Sequence, residues 1–244
     1  MKQTESTIQS SLPLDIALKI ALSLEVSDVC KLGSCSKFWR ELCGSDCLWE
    51  SLARQRWPSI PSLQNSSNKD WREIYIKMHN EMESKATDVI EFVKHCSLSQ
   101  SLEAGEYSKA IEYLNSMQLS FRDVQMFLLK PRLNVVTNLV GLHYCIFCLK
   151  VQAEHLMEAI LNCRISERKV CVKWWKLGRW SRGFRMRDES HSRNVSLADL
   201  MTDKGKEVLP VLQRGAIHEV LRVEICMSTA TSSPWLCQSS QIQF

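Results

Sequence analysis

The chain has 244 residues, 45% hydrophobic and 24% charged, which is ordinary globular composition with enough apolar residues for a core. Eight glycines and six prolines fall well below average usage, so turn-dense propellers, jelly rolls and collagen-like repeats are disfavoured and a mainly α fold is favoured. The net charge of +4 is too small to imply nucleic acid unless the cations cluster, and eleven cysteines, an odd number in a long chain, predict a reducing compartment, cytoplasm and/or nucleus.

Residues 1–11 are polar and read as a flexible tail with no apolar signal core. A dense apolar block, 12–58, follows. Pro13 opens its first helix, where a proline loses no intrahelical donor, and Ser27 and Ser45 stand where N-caps would divide the rest, so the block predicts three helices. From Ile16 to Leu24 only Lys19 and Ser23 are polar. A helix apolar over almost its whole circumference must be covered on several sides, and a block of this size is near the limit at which an isolated core is stable. A partner is expected. Residues 59–69, rich in Pro, Ser and Asn, read as a linker.

Beyond it, 70–227 reads as a predominantly helical module. Trp71, Ile74, Tyr75 and Met78 recur at helical spacing, and helices are predicted near Thr87–His95, Tyr107–Met117 and Phe121–Leu129, the last stopped by Pro131. The uncharged run Leu133–Leu149 is shorter than a span and is broken by Asn134, Thr137, Asn138 and His143, so it predicts a buried core helix and no membrane partner. Val135–Leu161 fits two helices or one bent one. Val170, Val172 and Trp174 alternate with Cys171 and Lys173, which predicts a small strand element. Ser196 and Asp199 have capping-box spacing, Ile217–Ile225 fits a strand or short helix, and 228–244 reads as a second flexible tail.

In order and spacing, Leu12–Ile16 (LPLDI), Ile20, Leu24, Asp28, Leu32, the string Cys35–Trp39 (CSKFW) and Leu48-Trp49 resemble an F-box motif. The resemblance covers about a fifth of the chain, with Cys47 where many members carry proline. It implies a non-catalytic substrate-recognition subunit of an SCF-type ubiquitin ligase. The block would dock on a Skp-type adaptor, and through it on a cullin and a RING protein. Carried over residue by residue, the adaptor-binding set is Leu12, Pro13, Ile16, Ile20, Leu24, Val29, Leu32, Cys35, Trp39, Leu42, Leu48, Trp49 and Leu52. The rest of the chain would select a protein substrate, and proximity to the charged conjugating enzyme is the catalytic contribution.

Cys145 and Cys148 form a C-x2-C, but they lie in an apolar helical run without the second pair of a zinc site, so core packing is the expectation and no metal or cofactor is predicted. No phosphate-cradling loop or GxSxG elbow is present, and no catalytic residue is proposed. Between Arg164 and Arg193, ten Lys or Arg stand against Glu167, Asp188 and Glu189, a local charge of +7. Trp174, Trp175, Lys176, Arg179, Trp180 and Arg182 are the candidate substrate-binding residues, since aromatics among cations grip acidic proteins. Two other readings stand beside that one. The tryptophans can anchor strands on the core while the cations face solvent, or segment 164–193 can serve a nucleic-acid-associated regulator, for which the mild whole-chain charge makes nucleic acid an unlikely partner.

Overall fold

The computed structural model describes residues 12–58, 70–97, 101–215 and 220–227, so the expected tails and linker lie outside the described residues. It is mainly helical, with ten α-helices among the described residues and a small antiparallel sheet. The chain divides into two compact units, Met1–Met82 and Glu83–Phe244.

The first unit contains α1 (Leu14–Leu22), α2 (Val26–Leu32), α3 (Lys37–Cys43), α4 (Asp46–Arg56) and the first turns of α5 (Trp71–Cys96). Four helices stand where three were expected in 12–58. The extra break follows from Gly33–Ser36, where successive turns close on the Lys31 and Leu32 carbonyls, and Ser36 Oγ then accepts from Trp39 N–H to start α3. α2 begins at Val26, ahead of the expected Ser27 cap, with Glu25 in the capping position. α1 packs on α3 and α4 through Ala17 and Ala21, both fully buried, whose small side chains permit close approach. Val29, Leu42, Leu48, Trp49, Leu52 and Ala53 complete the core.

α5 contributes to this unit instead of opening the next one at residue 70. Tyr75 is buried, edge-on to Trp49 at 5.4 Å and 5.1 Å from the Trp57 ring. The Trp71 N–H donates to Asp46 Oδ1 at 3.2 Å. Trp71, Ile74, Tyr75 and Met78 do lie on one helix, and that helix continues without interruption through the separately expected Thr87–His95.

The second unit holds the remainder of α5, β1 (Ser101–Glu103), α6 (Ala104–Ser116), α7 (Phe121–Phe127), α8 (Val135–His143), α9 (Ala153–Asn162), β2 (Lys169–Lys176), β3 (Trp180–Ser181), β4 (Phe184–Arg185), β5 (Glu189–Ser196), α10 (Val208–Arg214) and β6 (Val220–Met227). Every residue of α8 is buried, as the uncharged run predicted. A π-helical turn, Tyr144–Cys148, ends it, and Lys150 at φ 53° separates it from α9, so Val135–Leu161 forms two helices. The buried polar groups of α8 are paired. Asn138 Nδ2 donates to the carbonyls of Leu128 and Lys130 at 2.7 and 3.1 Å, its Oδ1 accepts from Arg168, and the Tyr107 hydroxyl lies 2.9 Å from His143 Nδ1.

The sheet runs β1-β6-β2-β5, all antiparallel, with Trp174 opposite both His191 on β5 and Val223 on β6. Val170, Val172, Trp174, Val195, Val223 and Ile225 form its buried face. Ser196 and Asp199 exchange backbone N–H bonds as the capping box predicted, though they start only a 3-10 turn, Asp199–Met201.

Candidate functional site

α1 buries alanines and displays its large residues. Leu14, Ile16 and Ile20 are 66%, 41% and 40% exposed, the reverse of the distribution expected for a helix whose apolar stripe has already found its core. Pro13 and Cys35 are exposed as well, while Leu12, Leu24, Leu32 and Trp39 are half-buried. Trp39 stands edge-on to Phe38, with ring centroids 5.3 Å apart. These eight expected adaptor residues are accessible in whole or part. The other five are not: Val29, Leu42, Leu48, Trp49 and Leu52 are at most 5% exposed. They form the framework of the first unit, Val29 on α2, Leu42 on α3, and Leu48, Trp49 and Leu52 on α4. Trp49 also satisfies its own indole by donating to the Cys43 carbonyl at 2.8 Å. Leu14, the most exposed large residue of α1, was not among the expected contacts, although it stands within the quoted LPLDI string.

The basic aromatic segment of the second unit folds as a ribbon. β2 and β5 pair over eight positions, and β3 and β4 form a further hairpin, with Trp180 opposite Arg185 and Ser181 opposite Phe184. Arg182 and Gly183, at φ 49° and 82°, make the two-residue turn with both central φ angles positive that matches strand twist. Gly178 sits where a Cβ would lie 2.0 Å from the Met186 carbonyl oxygen. Its N–H donates to Asp188 Oδ1 at 2.8 Å, and this bond together with Arg185 at 2.9 Å holds the Asp188 carboxyl below its usual range.

Register decides what the ribbon shows. Paired positions share a face and successive positions alternate, so Trp180 and Phe184 point to opposite faces. They are 75% and 77% exposed. Leu177 and Met186 add to the tip, and Lys176, Arg179 and Arg182 are exposed beside them. Trp174 is different: it is buried and stacked on His191 at 5.3 Å, so it anchors the sheet. Trp175 is half-buried on the opposite face, beneath the Arg222 guanidinium at 5.4 Å. Met186 and Leu177 escaped sequence reasoning. Gly178 and Gly183, flanking the tip, were the available signal.

Several cations of 164–193 are committed internally. Arg168 donates to the Leu133 carbonyl at 2.7 Å and to Asn138, Arg185 pairs with Asp188, and Arg193 Nε lies 3.1 Å from Glu207 Oε2. This subtracts from the phosphate-binding capacity on which the nucleic-acid reading depends. Cys145 is fully buried and burial pushes its thiol up to about 12, the behaviour of a packing residue. Among the described residues no group of three or more His, Cys, Asp or Glu is placed to hold a metal ion, and no helix is long and apolar enough to cross a membrane.

Compared with known proteins, residues 9–55 match the F-box-like family model. No curated protein and no solved structure matches the chain.

Proposed function

We propose that the chain, which carries an F-box-like domain at residues 9–55, is the substrate-recognition subunit of an SCF-type ubiquitin ligase. Domains of this family generally bind Skp-type adaptors, and such proteins are generally non-catalytic. The observation that carries the reading is α1, with Leu14, Ile16 and Ile20 turned outward beside Pro13. Together with Leu12, Leu24, Leu32, Cys35 and Trp39, these residues form the docking face for the adaptor. The cullin and the RING protein are reached through it. The chain's contribution is to raise the effective concentration of a target lysine near an activated ubiquitin.

In this proposal the second unit selects the target, and the ribbon tip is its contact. Trp180 with Lys176, Arg179 and Arg182, joined by Phe184 and Met186, offers apolar and cationic groups together, which suits an acidic protein surface. The test is co-expression with a Skp-type adaptor followed by purification on one partner. A stoichiometric complex supports the reading, and its absence with a folded chain defeats it.

A further inference from the structure

At the base of the ribbon, Trp174, Lys176, His191, Arg193, Glu207 and Val211 line a cleft of about 350 Å³. Two of its lining side chains carry buried nitrogens with no hydrogen-bond partner, Trp174 Nε1 and His191 Nε2. An indole N–H can only donate, and leaving it unmade in a buried place is costly, so this nitrogen calls for an acceptor. Trp174 is 4% exposed, whereas the nearest carboxylate oxygen recorded for His191, Glu189 Oε2, lies 3.5 Å from Nε2 without forming a hydrogen bond. Lys176 forms no ion pair among the described residues. Arg193 gives Nε to Glu207 and Nη1 to the Ser192 carbonyl at 3.3 Å.

We propose that this cleft binds a side-chain carboxylate of the target protein, accepting from Trp174 Nε1–H and pairing with the Lys176 ammonium. The charges select the ligand. Lys176 and Arg193 against Glu207 leave the lining one positive charge, which suits a carboxylate and is too little for a phosphate dianion. Val211 supplies an apolar wall for the methylenes of Glu or Asp. The proposal rests on the receptor reading, because it is the captured protein that would supply the carboxylate, and it makes acidity part of the recognised signal.

The test uses the full chain labelled with 15N-tryptophan, in which each of the eight tryptophans contributes one indole N–H resonance. Trp174→Phe identifies the Trp174 resonance. N-acetyl-pentaglutamate is expected to shift it saturably, while N-acetyl-pentaglutamine leaves it in place. Lys176→Gln, at an exposed position, should weaken the response about tenfold. Val211→Phe, which fills the cleft, should abolish it with the other indole resonances unmoved. No shift with pentaglutamate, a shift insensitive to both variants, or a stronger response to inorganic phosphate or single-stranded oligothymidylate would each overturn the proposal. Adaptor copurification, run in parallel, separates the two readings: losing the adaptor while the shift persists defeats only the receptor assignment, and keeping the adaptor without the shift defeats only the cleft.

Discussion

Arg56 Nη1 donates to the Tyr75 hydroxyl at 2.8 Å, and Arg56 is only 3% exposed. It also lies 3.0 Å from His79 Nδ1 and over the Trp57 ring at 4.5 Å. A buried cation without such partners would be strongly destabilising, so α5 is part of the first unit's chemistry as well as its packing.

Tyr75→Phe keeps the ring against Trp49 and Trp57 and deletes one acceptor of Arg56. It is expected to destabilise the first unit by about 1–3 kcal/mol, read from urea denaturation followed by tryptophan fluorescence. Arg56→Met with Tyr75→Phe should recover part of that loss, since the under-satisfied buried charge is removed with its partner. A single variant as stable as the parent would mean that the Tyr75 hydroxyl does not contribute to satisfying Arg56.

His143 supplies a pH signature. Burial depresses its pKa from 6.5 to about 4, and the residue is 6% exposed, its ring beside the Tyr107 hydroxyl. The unfolded chain binds a proton near pH 6.5 that the folded chain resists until about pH 4. The stabilisation is therefore fully present above pH 6.5 and is lost as pH falls through that window, by about 3 kcal/mol in total. His143→Gln should flatten this part of the stability profile, whatever it does to stability at neutral pH. A parent profile that does not decline between pH 6.5 and 4 would contradict the assignment of a neutral buried imidazole.

Gly178→Ala should disrupt the ribbon tip. The new Cβ collides with the Met186 backbone, which cannot yield as a flexible side chain would, and the Gly178–Asp188 bond is lost with it. Hydrogen exchange of 178–187 is expected to accelerate while α8, buried throughout, stays protected. Unchanged exchange at the tip would show that the hairpin does not depend on close approach at residue 178.

Much of this was legible in the sequence, for identifiable reasons. α8 and β2 declare themselves because burial on all sides and strict alternation leave patterns of fixed period, and Ser196 sits at a turn that its side chain closes. β5 left no such trace: Glu189–Ser196 is polar, and its pairing is specified by β2 across the tip instead of by its own residues. The division of the F-box-like surface was half legible. The motif marks Ile16, Ile20, Val29 and Leu48 alike, since an apolar residue reads the same whether it faces a partner or a core, and only the packing of Ala17 and Ala21 shows which side of α1 is inward. Trp174 shows the same ambiguity, in that interleaving aromatics with cations does not reveal which face of a strand is covered.

The most direct measurement is the affinity of a Skp-type adaptor for the full chain carrying Ile16→Asp and Ile20→Asp, by titration calorimetry. Both residues are about two-fifths exposed, so urea stability should stay within about 0.5 kcal/mol of the parent. Affinity is expected to fall at least thirtyfold, as for loss of buried interface anchors. The framework variant Leu48→Ala should instead lose about 2–5 kcal/mol of stability. Adaptor affinity unchanged in the double aspartate variant would contradict the assignment of α1 as the docking face, and with it the account of this chain as a ligase receptor.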